Sequence, residues 1–265
     1  MPRRRLDAEL VRRGLARSRE QAADLVRAGR VRVGGQLARK PASQVDPAEP
    51  VLVEEQAGEP EYASRGGHKL AGALDALPDL VVAGRRCLDA GASTGGFTDV
   101  LLRRGAAAVV AADVGYGQLA WNLRTDPRVT VLDRTNVRHL TAGDIGGPAD
   151  VTVADLSFIS LRLVLPALAA CTAVAGGDLL PMVKPQFEVG RERLGVGGVV
   201  RDPADRADAV LAVAAAAAAA GLGVAGIVRS PLPGPSGNVE FFLWLRRDAP
   251  GVDPDQVRTV VAEEP

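Results

Sequence analysis

From residue 86 onward the chain repeats one pattern: a short apolar run, a break holding glycine or aspartate, then a longer stretch of mixed polarity. Candidate strands fall at 86–90, 108–113, 129–132, 151–155, 178–183, 223–228 and 239–245, with helical segments between the first six. Strands separated by helices pair in parallel through crossovers, so the pattern predicts an α/β fold with helices on both faces of a mostly parallel sheet. The last run, Val239 to Leu245, follows a proline-rich turn instead of a helix, which predicts an antiparallel closing strand. Ligands in such sheets bind outside the carboxyl ends of the strands, so the residues that end each run are the ones to inspect.

The first 58 residues follow a different rule. Leu6, Leu10, Val11 and Leu15 recur at helical spacing, and Ser18 with Gln21 stands in the order of a reciprocal helix cap. A second helix is expected from about Arg19 to Ala28, stopped by Gly29. Val31–Val33 and Gln36–Ala38 then read as strands joined across Gly34-Gly35, and Val51–Val53 as another. The expected organisation is a small α+β unit over 1–58, a linker over 59–63, a large domain over 64–248 and an irregular tail over 249–265.

Charge separates the two parts. Residues 1–45 carry twelve Arg and Lys against four Asp and Glu, and the rest of the chain twenty against twenty-eight, although the whole chain sums to zero. A basic arm on an acidic body is the footprint of polyanion binding, with a merely solvated charged face as the alternative. The small unit resembles the S4 RNA-binding module, and Arg5, Arg17, Arg19 and Lys40 are its candidate phosphate contacts.

Several classes are disfavoured. Cys87 and Cys171 are the only cysteines and neither has a partner at ligand spacing, so no disulfide framework or metal site is expected. The charged N-terminus lacks the apolar stretch of a signal peptide, which points to a cytoplasmic protein. Residues 209–228 hold no charge, but Ala215 to Ala220 before Gly221 reads as a small-residue helix, followed by a separate strand, and not as a membrane span.

After the first strand comes Asp89-Ala90-Gly91-Ala92-Ser93-Thr94-Gly95-Gly96-Phe97, a glycine-rich turn entering a helix. It lacks the Gly-x-Gly-x-x-Gly form that seats a pyrophosphate, and its leading carboxylate suits a cofactor with a cationic amino group. Asp113, followed by Val114, ends the second strand where a carboxylate can receive two ribose hydroxyls, and Asp133 with nearby Asn136 ends the third where an adenine edge would lie. A plain strand-to-helix turn and helix caps are the alternatives. Together with the closing antiparallel strand, this is the layout of S-adenosylmethionine-dependent methyltransferases of the Rossmann-like class.

Lys69 precedes the first strand, Asp155 ends the fourth, Lys184 follows the fifth and Glu240 lies in the last, all on the side of the strand ends. Lysine and glutamate are rare beside such apolar runs unless paired or functional; a buried structural ion pair is the alternative. A lysine tuned by carboxylates can orient a ribose 2′-hydroxyl and handle its proton. Phe158, three residues past Asp155, is a candidate platform for an unstacked base or else a core residue. Arg65, Arg134, Arg138 and Arg191 fall on loops at strand ends, as phosphate contacts or as solvated side chains.

The runs Ser64-Arg65-Gly66-Gly67-His68-Lys69-Leu70, Asp89 to Asp99, Ala112-Asp113-Val114-Gly115-Tyr116-Gly117, Ala154-Asp155-Leu156-Ser157-Phe158, Val183-Lys184-Pro185-Gln186-Phe187-Glu188 and Gly237-Asn238-Val239-Glu240-Phe241 closely resemble the TlyA family, also labelled hemolysin A and related to FtsJ. The resemblance implies S-adenosylmethionine as cofactor, Lys69, Asp155, Lys184 and Glu240 as a catalytic tetrad, and cytidine ribose in 16S and 23S rRNA of the 30S and 50S subunits as substrate. It also implies a link to capreomycin sensitivity; a monomer is expected. Where some relatives carry an Arg-x-Trp-Val linker, this chain has Pro60-Glu61-Tyr62-Ala63. A base methyltransferase is disfavoured by the positions of the cysteines and by Asp-Leu-Ser-Phe after the fourth strand. A membrane-active hemolysin and a non-catalytic ribosome-binding factor remain as alternatives.

Overall fold

In the computed structural model, which describes residues 3–16, 19–53, 62–234 and 236–263, the chain divides into two units, Met1–Glu61 and Tyr62–Pro265. The first contains β1 (Arg4–Arg5), α1 (Leu6–Arg12), α2 (Arg19–Arg27), β2 (Val31–Val33), β3 (Gln36–Leu37), β4 (Gln44–Val45) and β5 (Val51–Val53). Leu6 and Leu10 of α1 meet Ala22, Leu25 and Val26 of α2 over Val31 and Val45, the 3.6-residue period delivering one apolar stripe from each helix. Strand β2 is central, antiparallel to both β3 and β5. Val33 pairs with Gln36 across Gly34 and Gly35, both at positive φ as a two-residue hairpin turn requires.

The pairing of β1 with β4 escapes the sequence reading, because two-residue strands carry no periodicity. Arg17 and Ser18, the latter half of the expected helix cap, lie outside the described residues, as do residues 59–61 of the expected linker. Tyr62 and Ala63 are buried in the larger unit, where the Ala63 N–H donates to Asp99 Oδ2 at 2.9 Å, so these two residues are not linker.

The second unit opens with α3 (Arg65–Ala76) and continues β6 (Arg86–Ala90), α4 (Gly96–Arg103), β7 (Ala108–Ala112), α5 (Trp121–Arg124), β8 (Val129–Leu132), β9 (Val151–Ala154), α6 (Leu165–Cys171), β10 (Asp178–Val183), α7 (Pro185–Glu188), α8 (Pro203–Ala219), β11 (Gly223–Arg229), β12 (Phe241–Arg246) and α9 (Pro254–Ala262). The sheet order is β11-β12-β10-β9-β6-β7-β8, with β12 antiparallel to both neighbours and the other described pairings parallel. Both faces are covered, and side chains alternate between two cores. Leu88, Val110, Leu179 and Phe241 enter one, while Cys87, Val109, Leu180 and Phe242 enter the other.

The chain runs outward from β6 to β8 and then returns to β9 on the other side of β6. That reversal leaves a crevice at the carboxyl ends of β6 and β9, the expected place for a ligand in an open α/β sheet.

Three expectations need correction. Residues 249–265 are not irregular throughout: Asp253 caps α9 by accepting from the Asp255 N–H, Pro254 occupies the first turn, and Val257 and Val261, four apart, are buried. Glu240 stands one residue ahead of β12 and not within it. Between β8 and β9 the chain forms only a 3-10 turn, Val137–His139, among the described residues. No described helix is long and apolar enough to cross a membrane; the uncharged stretch divides into the end of α8, Gly221 at φ 78°, and β11.

Candidate active site

The crevice is bounded first by the turn after β6. Asp89 is fully buried; Thr98 Oγ1 donates to its Oδ2 at 2.6 Å, while Oδ1 has no partner within the protein. Burial pushes this carboxyl up to about 7, with Asp155 and Asp113 nearby adding to the rise and the Thr98 bond opposing it. A buried acceptor left open beside a crevice is suited to a ligand donor, and a cation there would hold the carboxylate in its charged form.

The glycines let the turn pack closely against the rest of the fold. Gly91 has φ 89°, and a Cβ on it would lie 2.5 Å from the Asp155 carbonyl oxygen. Gly95, φ 98°, is the N-cap of α4, and Gly96 begins the helix against Ser64. Ser93 is also left-handed, at φ 48°, and the partly buried Thr94 completes the turn. The open oxygen of Asp89 thus fits a cofactor that brings a cationic amino group to it, beside a turn whose glycines and left-handed Ser93 leave the backbone bare.

Asp113 has a role that its spacing did not foretell. Its carboxylate accepts from the Ser93 N–H at 2.8 Å and the Gly115 N–H at 2.6 Å, pinning the glycine-rich turn to the end of β7 while leaving lone pairs for further donors. Val114 beside it is exposed. Asp133 is engaged by Arg124 at 2.9 Å and by the Gly117 N–H at 3.3 Å, and Asn136 caps the 3-10 turn by accepting from the Arg138 N–H. The ring of Phe97, expected among the cofactor-binding residues, is buried 6.0 Å from that of Phe242 and fills the core beneath the turn.

The four candidate catalytic residues form two ion pairs. Lys69 projects from α3, and its Nζ lies 2.5 Å from Glu240 Oε2. Lys184 Nζ lies 2.6 Å from Asp155 Oδ1 and donates to Ser157 Oγ at 2.9 Å. Glu240 is 1% exposed and Lys184 8%. Gly66 sits in the first turn of α3, where a Cβ would approach both Ser64 and Asp155, so this end of α3 abuts the ends of β6 and β9.

Gln186, absent from the sequence expectations, extends the second pair toward the first. Its Nε2 faces Glu240 Oε1 at 3.5 Å, and its own Oε1 is buried without a partner. Ser157, Thr98 and Gln186 are small or neutral residues in loops and helix starts, and only their proximity in three dimensions marks them.

Phe158 is not a core residue: it is 92% exposed, with φ 64° and its ring 5.4 Å from that of Phe187. Arg134 stands over the exposed Tyr116 ring at 4.4 Å, and Arg65 donates to the Pro233 carbonyl at 3.0 Å. Arg138 and Arg191 are exposed on 3-10 turns. In the small unit, Arg5 and Arg19 both reach the buried Asp7, at 2.7 Å and 3.1 Å, and Lys40 is exposed. Part of the donor capacity expected for phosphate is therefore spent on holding α1. Among the described residues no group of three or more His, Cys, Asp or Glu is arranged to hold a metal ion.

Residues 62–247 match the model of the FtsJ-like methyltransferase family, and residues 4–51 that of the S4 domain. The chain is 60% identical, over 99% of both chains, to the 16S/23S rRNA (cytidine-2′-O)-methyltransferase TlyA of Mycobacterium tuberculosis. It is 33% identical to hemolysin A of Brachyspira hyodysenteriae, over 90% of this chain and 98% of that one. A solved structure from Streptococcus thermophilus, also bearing the hemolysin name, superposes with a TM-score of 0.78 at 41% identity, over 99% of this chain and 95% of the other.

Proposed function

Because this chain belongs to the FtsJ-like methyltransferase family, in its TlyA branch, we propose that it transfers a methyl group from S-adenosylmethionine to the ribose 2′-hydroxyl of cytidine in 16S and 23S rRNA. The observation that carries this reading is the pair of lysine–carboxylate contacts, Lys69 with Glu240 and Lys184 with Asp155, beside the crevice of β6 and β9. The S4 domain supports an RNA substrate, and the assembled 30S and 50S subunits in the cytoplasm are the proposed partners of a monomeric enzyme.

S-adenosylmethionine supplies an activated methyl on a sulfonium. Asp89 would take its amino group through Oδ1, with Gly91, Ser93, Thr94, Gly95 and Gly96 passing their backbone along it and Asp113 receiving the ribose hydroxyls. Asp133, Asn136 and the exposed Val114 would border the adenine.

A ribose hydroxyl is a weak nucleophile, so the residues must orient O2′; as the O–C bond forms and the sulfonium S–C bond breaks, its proton would pass by way of the Lys184–Asp155 pair to solvent. Lys184, fixed from one side by Asp155 and from another by Ser157, presents its amino group in one geometry to that oxygen. Positive charge there stabilises negative charge developing on O2′ in a site screened from water. Lys69, held by Glu240, would secure the neighbouring part of the target nucleotide. Phe158 would stack on a base drawn out of its helix, and Arg65, Arg134, Arg138, Arg191, Arg5, Arg17, Arg19 and Lys40 would carry phosphate contacts.

The test is incubation with methyl-labelled S-adenosylmethionine and separate unmodified 30S and 50S subunits, mapping ribose methylation by protection from alkaline cleavage. Label on a cytidine ribose, reduced at least about a hundredfold in Lys184→Ala, is expected. Label on a base would overturn the reading of the lysines, and no label on either subunit would overturn the substrate.

A further inference from the structure

Two stretches that carry candidate catalytic residues, 155–161 after β9 and 184–188 after β10, are tied to each other twice. The first tie joins Lys184 to Asp155 and Ser157. The second lies one helical turn further along α7. Glu188, buried, accepts from Ser160 Oγ at 2.6 Å and from the Leu161 N–H at 2.7 Å. Arg162 Nε approaches the same carboxylate at 3.3 Å, and its Nη2 donates to the Glu188 carbonyl at 3.3 Å. Ser160 Oγ in turn accepts from the N–H and Nε of Arg162, at 3.2 Å and 3.1 Å.

Between the two ties sits Phe158. A bulky residue at positive φ is strained, and such a conformation persists only where its surroundings over-determine it. Phe158 has little packing of its own to do so, being almost wholly exposed apart from the tilted contact with Phe187. The constraint must come from the anchors on either side. On one side these are Asp155 and Ser157; on the other the anchor is the carboxylate of Glu188. Burying a carboxylate merely to close a loop is unfavourable, since an uncharged pair would do the same with less desolvation. The arrangement fits a place where loop geometry has to be fixed closely.

We infer that Glu188 is a positioning residue of the methyl-transfer site: by gripping Ser160, Leu161 and Arg162 it fixes the left-handed backbone at Phe158 and so presents that ring to the target nucleotide beside Lys184. The inference rests on the proposed reading of the site as one that receives an unstacked cytidine. Glu188 itself touches neither substrate nor cofactor and acts through Phe158.

The experiment is a double-mutant cycle on the full chain with Glu188→Gln, Phe158→Leu and the combination, measuring kcat and KM for unmodified ribosomal subunits alongside S-adenosylmethionine affinity and thermal unfolding. Each single change is expected to lower kcat/KM about tenfold, mainly by raising KM for RNA, with cofactor affinity within about twofold of wild type. In the Phe158→Leu background Glu188→Gln should have almost no further effect. Ser160→Ala, which removes one rung of the same tie, should reproduce the rise in KM and be silent in the Phe158→Leu background, and it decides the matter if Glu188→Gln proves unstable. Fully multiplicative effects, or an equal loss of cofactor affinity, would show that Glu188 only supports the fold. Wild-type protein that labels no ribose would remove the functional reading itself, whereas active wild type with independent mutations removes only the role of Glu188.

Discussion

Asp89 is where the energetics of the site are most exposed to measurement. An ordinary aspartate loses its proton near pH 4, yet burial holds this one to about 7 in the folded chain. Between about pH 4 and 7 the folded state therefore keeps a proton that the unfolded state has released, and stability falls as pH rises through that window before levelling off. Asp89→Asn should abolish this slope, and above pH 7 its apo form should unfold at a higher temperature than wild type. The same substitution should weaken S-adenosylmethionine binding by at least about tenfold, because a neutral amide replaces the charge facing the amino group. In wild type, binding should expel the proton: titration calorimetry in buffers of different ionisation heat should show proton release at pH 6 and little at pH 8.5. Affinity should drop roughly tenfold per pH unit below 7. A pH-independent affinity would place the amino group elsewhere.

At the level of elements, α1 depends on charges that the apolar spacing never revealed. Glu9 is fully buried and bridged by Arg12 and Arg13, at 2.6 Å and 2.8 Å, and Asp7 is bridged by Arg5 and Arg19. Hydrogen bonds from Arg12 and from Arg5 are the main reason that these carboxyls are each lowered to about 2. Stability from a depressed carboxyl is present above its unfolded value and lost as pH falls through the folded one, so the small unit should melt between about pH 4 and 2. Arg5→Ala should move that acid transition upward in circular dichroism; an unchanged midpoint would mean that Arg19 alone suffices. Helices α1 and α2 were legible in the sequence because each buries one periodic stripe, the hairpin of β2 and β3 because Gly34-Gly35 marks its turn, and the strands of the sheet because they are apolar runs covered on both faces. Strands β1 and β4, two residues each, were not, and α9 was hidden because its apolar stripe is short, Val257, Val260 and Val261. At the site, Lys184 and Glu240 stood out as charges beside apolar runs, and Lys69 and Asp155 by their place at the strand ends and in the family motifs. Gln186, Ser157 and Thr98 could not, since their significance lies in which atoms they meet across the fold.

Over the whole molecule, the topology explains how residues so distant in sequence converge. Strand β12 is the last of the described strands in chain order but not the outermost: it inserts between β10 and β11, antiparallel to both. Glu240, at its threshold, then reaches Lys69 across 171 positions. A chain ending after β11 would leave β10 and β11 without their shared partner and Lys69 without its carboxylate. Such a truncation is expected to expose the sheet, bind a hydrophobic dye and show no methyl transfer. A full-length Glu240→Gln chain should retain cooperative melting while losing at least about tenfold in turnover.

That placement bears on when the protein can act. During synthesis the S4-like unit emerges first and is able to fold while the rest of the chain is still in the exit tunnel. The catalytic sheet has no such freedom, because the gap between β10 and β11 stays open until β12, made after both, has emerged. An RNA grip is thus available before any capacity to modify RNA, and a nascent chain tethered among thousands of rRNA riboses remains inert until β12 has been made and has taken its place.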